Sequence, residues 1–113
     1  MNEEMVAHTA QIERAARELT EQVNLIDNHL AELEQLKLTL NVLLTSSEES
    51  FLTFLGNKVF MKAQVIDKKK LFVDVGAGVI IQKTSEETAK IVEQQLIRLR
   101  EARLQLGNQL DLY

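Results

Sequence analysis

The sequence predicts an α+β fold, in which a long antiparallel two-helix coiled coil carries two β-hairpins at its closed end. Apolar residues recur in alternating steps of three and four along residues 5–44 and again along 89–113, as they do in coiled coils. Between these stretches, residues 51–84 change to alternating strand chemistry and contain three of the four glycines. The predicted segments are a first helix (1–48), a hairpin segment (49–83) and a second helix (84–113), which together form one domain.

The first helix is predicted by a seam that repeats every seven residues: Met5, Ile12, Leu19, Ile26, Leu33 and Leu40. A second, weaker series completes the seam with residues such as Val23 and Leu30 and includes one charged residue, Lys37. An apolar seam sustained over five heptads is typical of a coiled coil. The polar stretch 45–50 is predicted to end the helix, because such side chains compete for backbone hydrogen bonds.

The second helix is predicted to begin after Thr84, an N-cap residue followed three positions later by Glu87, as in a capping box. Its seam is Ala89, Val92, Leu96, Leu99, Arg103, Leu106, Leu110 and Tyr113. Arg103 is charged at a seam position, as Lys37 is in the first helix. Either these long side chains extend out of the seam to water, or they interrupt it to fix the register or the choice of partner.

The two predicted helices differ in length. At the rise of an α-helix, the first is about 65 Å long and the second about 43 Å. If the second folds back along the first, roughly the first fifteen residues have no partner within the chain. Met5, Val6 and Ile12 are then uncovered, and we expect them to meet another chain or to form a binding surface.

The hairpin segment is predicted to hold four short strands at 51–55, 59–66, 71–75 and 79–83, with a turn at 67–70. Two small hairpins leave open strand edges and apolar faces. Pairing these edges with other subunits would close an intersubunit β-barrel, so oligomerisation is expected. The residues predicted to form the subunit contacts are Phe51, Leu55, Val59, Phe60, Met61, Val65, Leu71, Val73, Val75, Val79 and Ile81.

Two segments between the helices, 55–63 (LGNKVFMKA) and 73–79 (VDVGAGV), resemble the α-class subunit of prefoldin. In that family a similar Leu-Gly strand and a Val-Gly-x-Gly-Val junction lie between two coiled-coil helices. The resemblance in architecture covers the whole chain, and the matching residues cover about its central third. The chain departs from the family at Phe54, where a proline usually precedes the Leu-Gly pair.

The resemblance implies a subunit of a hexameric, ATP-independent chaperone with two α-class and four β-class subunits. Such a complex is expected to hold unfolded client proteins at the tips of its coiled-coil arms and to deliver them to a group II chaperonin of the cytosol. The expected client-binding residues of this chain are Met1, Met5, Val6, Ile12, Leu110, Leu112 and Tyr113.

Composition narrows the possible functions. The net charge of −4 gives no general attraction to nucleic acid, and no apolar run is long enough to span a membrane. The chain has no cysteine and no combination of side chains that indicates catalysis, so we expect no enzyme activity, no cofactor and no metal site. A cytoplasmic protein is expected. The alternative to a chaperone subunit is a structural prefoldin-like scaffold or filament, or a coiled-coil adaptor that binds a dedicated folded partner.

Overall fold

A computed structural model describes residues 2–47 and 50–112. Its elements are α1 (Glu3–Thr45), β1 (Phe51–Gly56), β2 (Val59–Ala63), β3 (Lys70–Asp74), β4 (Ile80–Thr84) and α2 (Ser85–Leu110). A long helix, two antiparallel hairpins and a second helix therefore follow one another as predicted. The described chain divides into two compact units, a helical unit (2–36 and 93–112) and a hairpin unit (37–92).

In the helical unit, α1 and α2 pair in opposite directions. Two ion pairs show this, because Arg100 of α2 meets Glu34 of α1, while Arg103, further along α2, meets the earlier Asp27. The predicted seam supplies the buried residues of this unit, Val23, Leu33 and Leu96. The side chain of Leu96 is completely enclosed, which places the best-packed point of the unit on the seam.

The first turn of α1 is capped by Asn2, a residue that the sequence analysis did not single out. Its side-chain Oδ1 accepts a hydrogen bond from the backbone N–H of Met5 at 2.8 Å. This contact satisfies one of the N–H groups that have no partner inside a helix. Glu3 and Glu4 add negative charge at the positive end of the helix dipole.

In the hairpin unit, β1 pairs only with β2 and β3 only with β4, so the described strands form two separate two-stranded sheets. The first ladder runs from Phe51 opposite Ala63 to Phe54 opposite Phe60, with an irregularity before Gly56. The second runs from Lys70 opposite Thr84 to Asp74 opposite Ile80. Each strand thus has one edge without a ladder partner among the described residues.

The ends of the strands differ from the predicted ones. β2 ends at Ala63 and not at residue 66, because Ala63 is already opposite Phe51, the first residue of its partner strand. Val75 and Val79 lie outside β3 and β4, where the N–H of Val75 bonds to the Val79 carbonyl at 2.9 Å across a tight turn. The placement of Val65, Val75 and Val79 in strands was therefore wrong.

Both hairpin turns use left-handed backbone conformations. In the first, Asn57 and Lys58 have φ of 48° and 65°. In the second, Ala77 has φ of 52° and is flanked by Gly76 and Gly78, which also have positive φ. Two residues with positive φ suit the tight turns that join antiparallel strands, since their twist matches that of the strands.

The predicted cap of α2 is present. Thr84 Oγ1 accepts the N–H of Glu87 at 3.0 Å, which is the first half of a capping box. The Glu87 carboxylate lies 3.7 Å from the Lys83 ammonium, forming an exposed ion pair. Thr88, the buried polar residue of this turn, donates its hydroxyl to the Thr84 carbonyl at 2.9 Å. The start of α2 is therefore held to the end of β4 through Thr84.

Candidate binding surfaces

The first hairpin presents an apolar face to solvent. On one side of the β1–β2 ladder lie Leu52, Phe54 and Phe60, and all three are exposed. The rings of Phe54 and Phe60 are directly opposite each other, with their centroids 5.4 Å apart in a tilted arrangement that suits aromatic pairs. Exposed aromatic side chains on a two-stranded sheet are typical of a surface that is covered by a partner.

The two faces of the second hairpin differ in exposure. Leu71 and Val73 are half-buried on one face, while Phe72 and Ile80 are exposed on the other. Of the residues predicted to form subunit contacts, most are exposed, and they are Phe51, Leu55, Val59, Phe60, Met61, Val65, Val75, Val79 and Ile81. We call the exposed apolar residues of both hairpins the hairpin surface.

Four prominent members of the hairpin surface are not among the residues predicted from the sequence: Leu52, Phe54, Phe72 and Ile80. Strand alternation contains the signal that could have found them, because Leu52 and Phe54 lie on one face of β1, and Phe54 faces Phe60 across the ladder. The β3–β4 register similarly places Phe72 on the same face as Asp74 and Ile80. These apolar residues leave the hairpin surface larger than the predicted set.

An open cleft of about 420 Å³ lies in the hairpin unit beside the last turn of α1. Its walls are Val42, Leu43, Ser46, Ser47, Ser50, Phe51, Gln64, Val65 and Lys68. The ammonium group of Lys68 donates a hydrogen bond to the backbone carbonyl of Ser46 at 2.6 Å. A cation is favourable at the C-terminus of a helix, where carbonyl groups have no partner within the helix. Lys68 thus holds the link between the hairpins against the end of α1.

In the helical unit, the first turns of α1 form an exposed apolar strip. Met5 is 59% exposed and Val6 is 52% exposed, and Ile12 lies one heptad after Met5 on the same helix face. We call Met5, Val6 and Ile12 the α1 strip. Its exposure agrees with the expectation that these residues have no intrachain partner. Met1, also predicted for this surface, lies outside the described residues.

The predicted residues of α2 lie elsewhere along α1. Leu110 is half-buried, and Leu112 is exposed and lines an open cleft of about 470 Å³ together with Gln109. The α1 residues of this cleft are Ala15, Glu18, Leu19 and Gln22, so Met5 and Val6 do not contribute to it. The structure therefore brings Leu112 to the level of Leu19 and not to the α1 strip. Tyr113 lies outside the described residues.

The basic residues divide sharply between the units. All eight lysines lie within residues 37–92, while all five arginines lie in the helical stretches outside that range. Arginine suits the paired helices, because its planar guanidinium holds a carboxylate in a fixed geometry. Lysines on exposed strands oppose unwanted edge-to-edge pairing.

No helix in the described part of the chain is long and apolar enough to cross a membrane. Among residues 2–47 and 50–112, no group of three or more His, Asp or Glu side chains is arranged to hold a metal ion.

Two antiparallel helices with two small hairpins between them, each hairpin with an exposed apolar face, define a coiled-coil protein with a β-structured insert. Comparison with known proteins identifies the class: residues 12–112 match the model of the Prefoldin family, described as Prefoldin subunit. The chain therefore belongs to the prefoldin family. Members of this family are chaperones and not enzymes.

Two curated relatives are α subunits. The chain is 30% identical to "Prefoldin subunit alpha" of Methanopyrus kandleri over 87 residues, which are 76% of this chain and 55% of that protein. It is 25% identical to "Prefoldin subunit alpha" of Methanosarcina barkeri over 113 residues, covering 96% of this chain and 78% of the relative. The chain thus spans about half the length of the Methanopyrus relative.

A solved structure is similar over almost the whole chain. The cryo-EM structure of filamentous PFD from Methanocaldococcus jannaschii superimposes with a TM-score of 0.77 at 28% sequence identity. The superposition covers 98% of this chain and 89% of that one. The resemblance to the α class seen in the sequence is confirmed by the family match and by the two α-subunit relatives.

Proposed function

We propose that this chain is the α-class subunit of an ATP-independent chaperone of the cytoplasm. It captures unfolded client proteins at the tips of coiled-coil arms and delivers them to a group II chaperonin. Membership of the prefoldin family and the two α-subunit relatives support this proposal. The observation that carries the proposal is the exposure of the α1 strip on a helix whose later apolar seam residues, from Leu19 to Leu40, are buried or half-buried.

The α1 strip has the physical properties of a holding surface. Burying one aliphatic side chain contributes about 1.5–3 kcal/mol, so contact with a single strip gives weak and reversible binding. Several arms that contact one client together raise the overall affinity without slowing the release of each contact. The flexible thioether of Met5 adapts to apolar segments of different shapes. Capture followed by release therefore needs no nucleotide.

For assembly, we propose that the hairpin surface meets the hairpins of β-class subunits and closes an intersubunit β-barrel in a complex of two α and four β subunits. Two-stranded sheets are only marginally stable alone, and their open edges and exposed aromatic faces favour pairing with other chains. Closing the strands into a barrel removes those edges. The hairpins of this chain would thus be stabilised mainly in the assembly.

The proposal is tested by measuring the mass of the assembly and its ability to suppress the aggregation of an unfolded client. Light scattering would give the mass of the chain alone and after mixing with a β-class subunit, and each sample would be assayed for suppression of client aggregation. We expect a hexamer, with suppression only when both subunits are present. The variant Met5→Ser/Val6→Ser/Ile12→Ser should form the same hexamer but lose most of its suppression.

A matched control carries three serines at other exposed apolar sites of the helical unit, Leu25, Ile97 and Leu104. This control should suppress aggregation like the unsubstituted chain, because its substitutions lie outside the α1 strip. Equal activity of the two triple variants would contradict capture by the α1 strip. A hexamer with no suppression in any form would contradict the chaperone proposal itself.

A second candidate is a structural filament or scaffold subunit, or an adaptor for a dedicated folded partner. The observation behind this candidate is the similarity to a filamentous prefoldin structure at a TM-score of 0.77. In this case the hairpin surface would join copies of one chain. Light scattering of the chain alone would then show a mass that grows with concentration beyond that of a hexamer, without suppression of aggregation.

A further inference from the structure

Arg103 occupies a seam position, yet its guanidinium leaves the seam. Its Nε donates a hydrogen bond to Asp27 Oδ1 at 2.8 Å on the neighbouring helix. Gly107 lies one turn further along α2 and leaves room for the guanidinium of Arg103. A Cβ added at Gly107 would lie 3.0 Å from the Arg103 Nη1 atom. An alanine there would require the guanidinium of Arg103 to shift by a few tenths of an ångström.

Arg100 makes a second pair between the helices, with the carboxylate of Glu34. Along α2 the same guanidinium also lies 4.0 Å from Glu93. The two interhelical pairs show which residues face each other in the seam. Arg103 lies at the level of Ile26 and Asp27, and the matching steps of three and four then place Leu99 opposite Leu30 and Leu106 opposite Val23.

The apolar seam alone does not select this register. If α2 slips by one heptad toward the start of α1, Leu99 faces Val23, Leu96 faces Ile26 and Leu110 faces Ile12. All of these positions are apolar, so the slipped seam resembles the observed one. In the slipped register Arg103 faces the neutral Thr20, whereas Arg100 faces Asp27 in place of Glu34. A slip in the other direction places Asn41 opposite Arg100. Only the observed register gives both arginines an acidic partner on the other helix.

We infer that the pairs Arg100–Glu34 and Arg103–Asp27 select the register of the coiled coil and thereby leave Ile12 uncovered by α2. The ion pairs select between registers that the apolar residues hardly distinguish. The consequence for client binding rests on the proposed function, because the slipped register would cover one residue of the α1 strip with Leu110. The consequence for register does not depend on that function.

Disulfide trapping tests the register directly, because the chain contains no cysteine. One reporter carries Leu30→Cys with Leu99→Cys and closes in the observed register. The other carries Val23→Cys with Leu99→Cys and closes in the slipped register. Seven residues of helix rise about 10 Å, so neither reporter can close in the other register without movement. Both are equilibrated in the same thiol redox buffer.

The decisive substitution is Glu34→Gln with Arg103→Leu, which removes both observed pairs but leaves Arg100 and Asp27 available to the slipped register. We expect the ratio of slipped to observed disulfide to rise about 1.5- to 5-fold for each lost pair, the range expected for partly exposed ion pairs. The control is Glu32→Gln with Arg98→Leu, which makes the same charge change at exposed positions of the same helices. Its ratio should not change.

An unchanged ratio in the decisive variant would overturn the inference, as would failure of the observed-register reporter to close in the unsubstituted background. A second readout separates the inference from the proposed function. If the chaperone proposal holds, the decisive variant should also suppress client aggregation less well than the control. A change in disulfide ratio without any holding activity in the unsubstituted complex would leave the register inference standing and refute the proposed function.

Discussion

Replacing Leu96 by alanine should strongly destabilise the helical unit. Leu96 is 0% exposed, the most deeply buried large side chain in the described part of the chain. The substitution removes three carbon atoms from this site. At about 0.8 kcal/mol for each buried methylene, the loss of transfer free energy is about 2.4 kcal/mol. A cavity that the helices do not fully close adds to this value, so we expect a total loss of about 3 kcal/mol.

The matched control is Leu104→Ala on the same helix, where the side chain is 65% exposed. Leucine and alanine are both good helix formers, so this change should cost no more than about 0.5 kcal/mol. The free energy of unfolding would be measured by urea denaturation, followed by far-ultraviolet circular dichroism. All variants must be compared at one protein concentration, because association makes apparent stability depend on concentration.

The dependence of the unfolding free energy on urea should stay the same in both variants, since each exposes a similar surface on unfolding. A loss for Leu96→Ala that does not exceed the loss for Leu104→Ala would refute the reasoning. It would mean that Leu96 is not enclosed between the helices in solution. Since the helical unit contains few fully buried side chains, a loss of about 3 kcal/mol is a large part of its stability.

Three further substitutions test contacts of the hairpin unit. Thr84→Ala removes the cap of α2 and should cost about 1 kcal/mol in urea denaturation, whereas Thr84→Ser should retain most of the stability; equal losses would contradict the role of the hydroxyl. Ala77→Gly removes an alanine from a left-handed backbone conformation and should stabilise the protein by about 0.5–1 kcal/mol, seen as a higher melting temperature. A lower melting temperature would show that Ala77 is not strained. Lys68→Met removes the hydrogen-bond donor to the Ser46 carbonyl. It should speed hydrogen exchange of the Ser46 N–H, which bonds to the Val42 carbonyl at 2.9 Å, while Lys68→Arg should preserve the protection of that N–H. Unchanged exchange in Lys68→Met would show that this contact does not cap the helix.

The sequence predicted the helices well, because a seventh-residue repeat such as Ile12, Leu19, Ile26 and Leu33 is a local signal that needs no knowledge of the partner. The hairpins were also predicted, but their ends were not. The end of β2 depends on which residues of β1 lie opposite it in the ladder. This pairing register cannot be read from the sequence of β2 alone. Val65 alternates correctly with Ala63 in the sequence, yet no described residue lies opposite it in the ladder, and it lies outside β2.

The contacts of charged residues were the least predictable part. Lys68 was predicted only as part of the turn at 67–70, and its bond to Ser46 joins residues 22 positions apart. Arg103 was noted as a charged seam residue, but its partner Asp27 lies 76 positions away. Both contacts depend on how distant segments come together, which the pattern of apolar residues does not specify in enough detail. Of the candidate surfaces, the α1 strip was predicted by the helix lengths, whereas half of the exposed aromatic residues of the hairpins were missed.

The separation of lysines from arginines gives the molecule two surfaces that can be addressed by different chemistry. Acylation neutralises lysine but leaves arginine charged, so a modification of that kind would change the charge of the hairpin unit and leave the interhelical ion pairs intact. In the laboratory, an amine-reactive dye would label side chains of the hairpin unit without touching those of the helical unit. In a cell, lysine acetylation would change the charge beside the surface proposed to meet other subunits, and it would leave the arginines of the interhelical ion pairs unmodified.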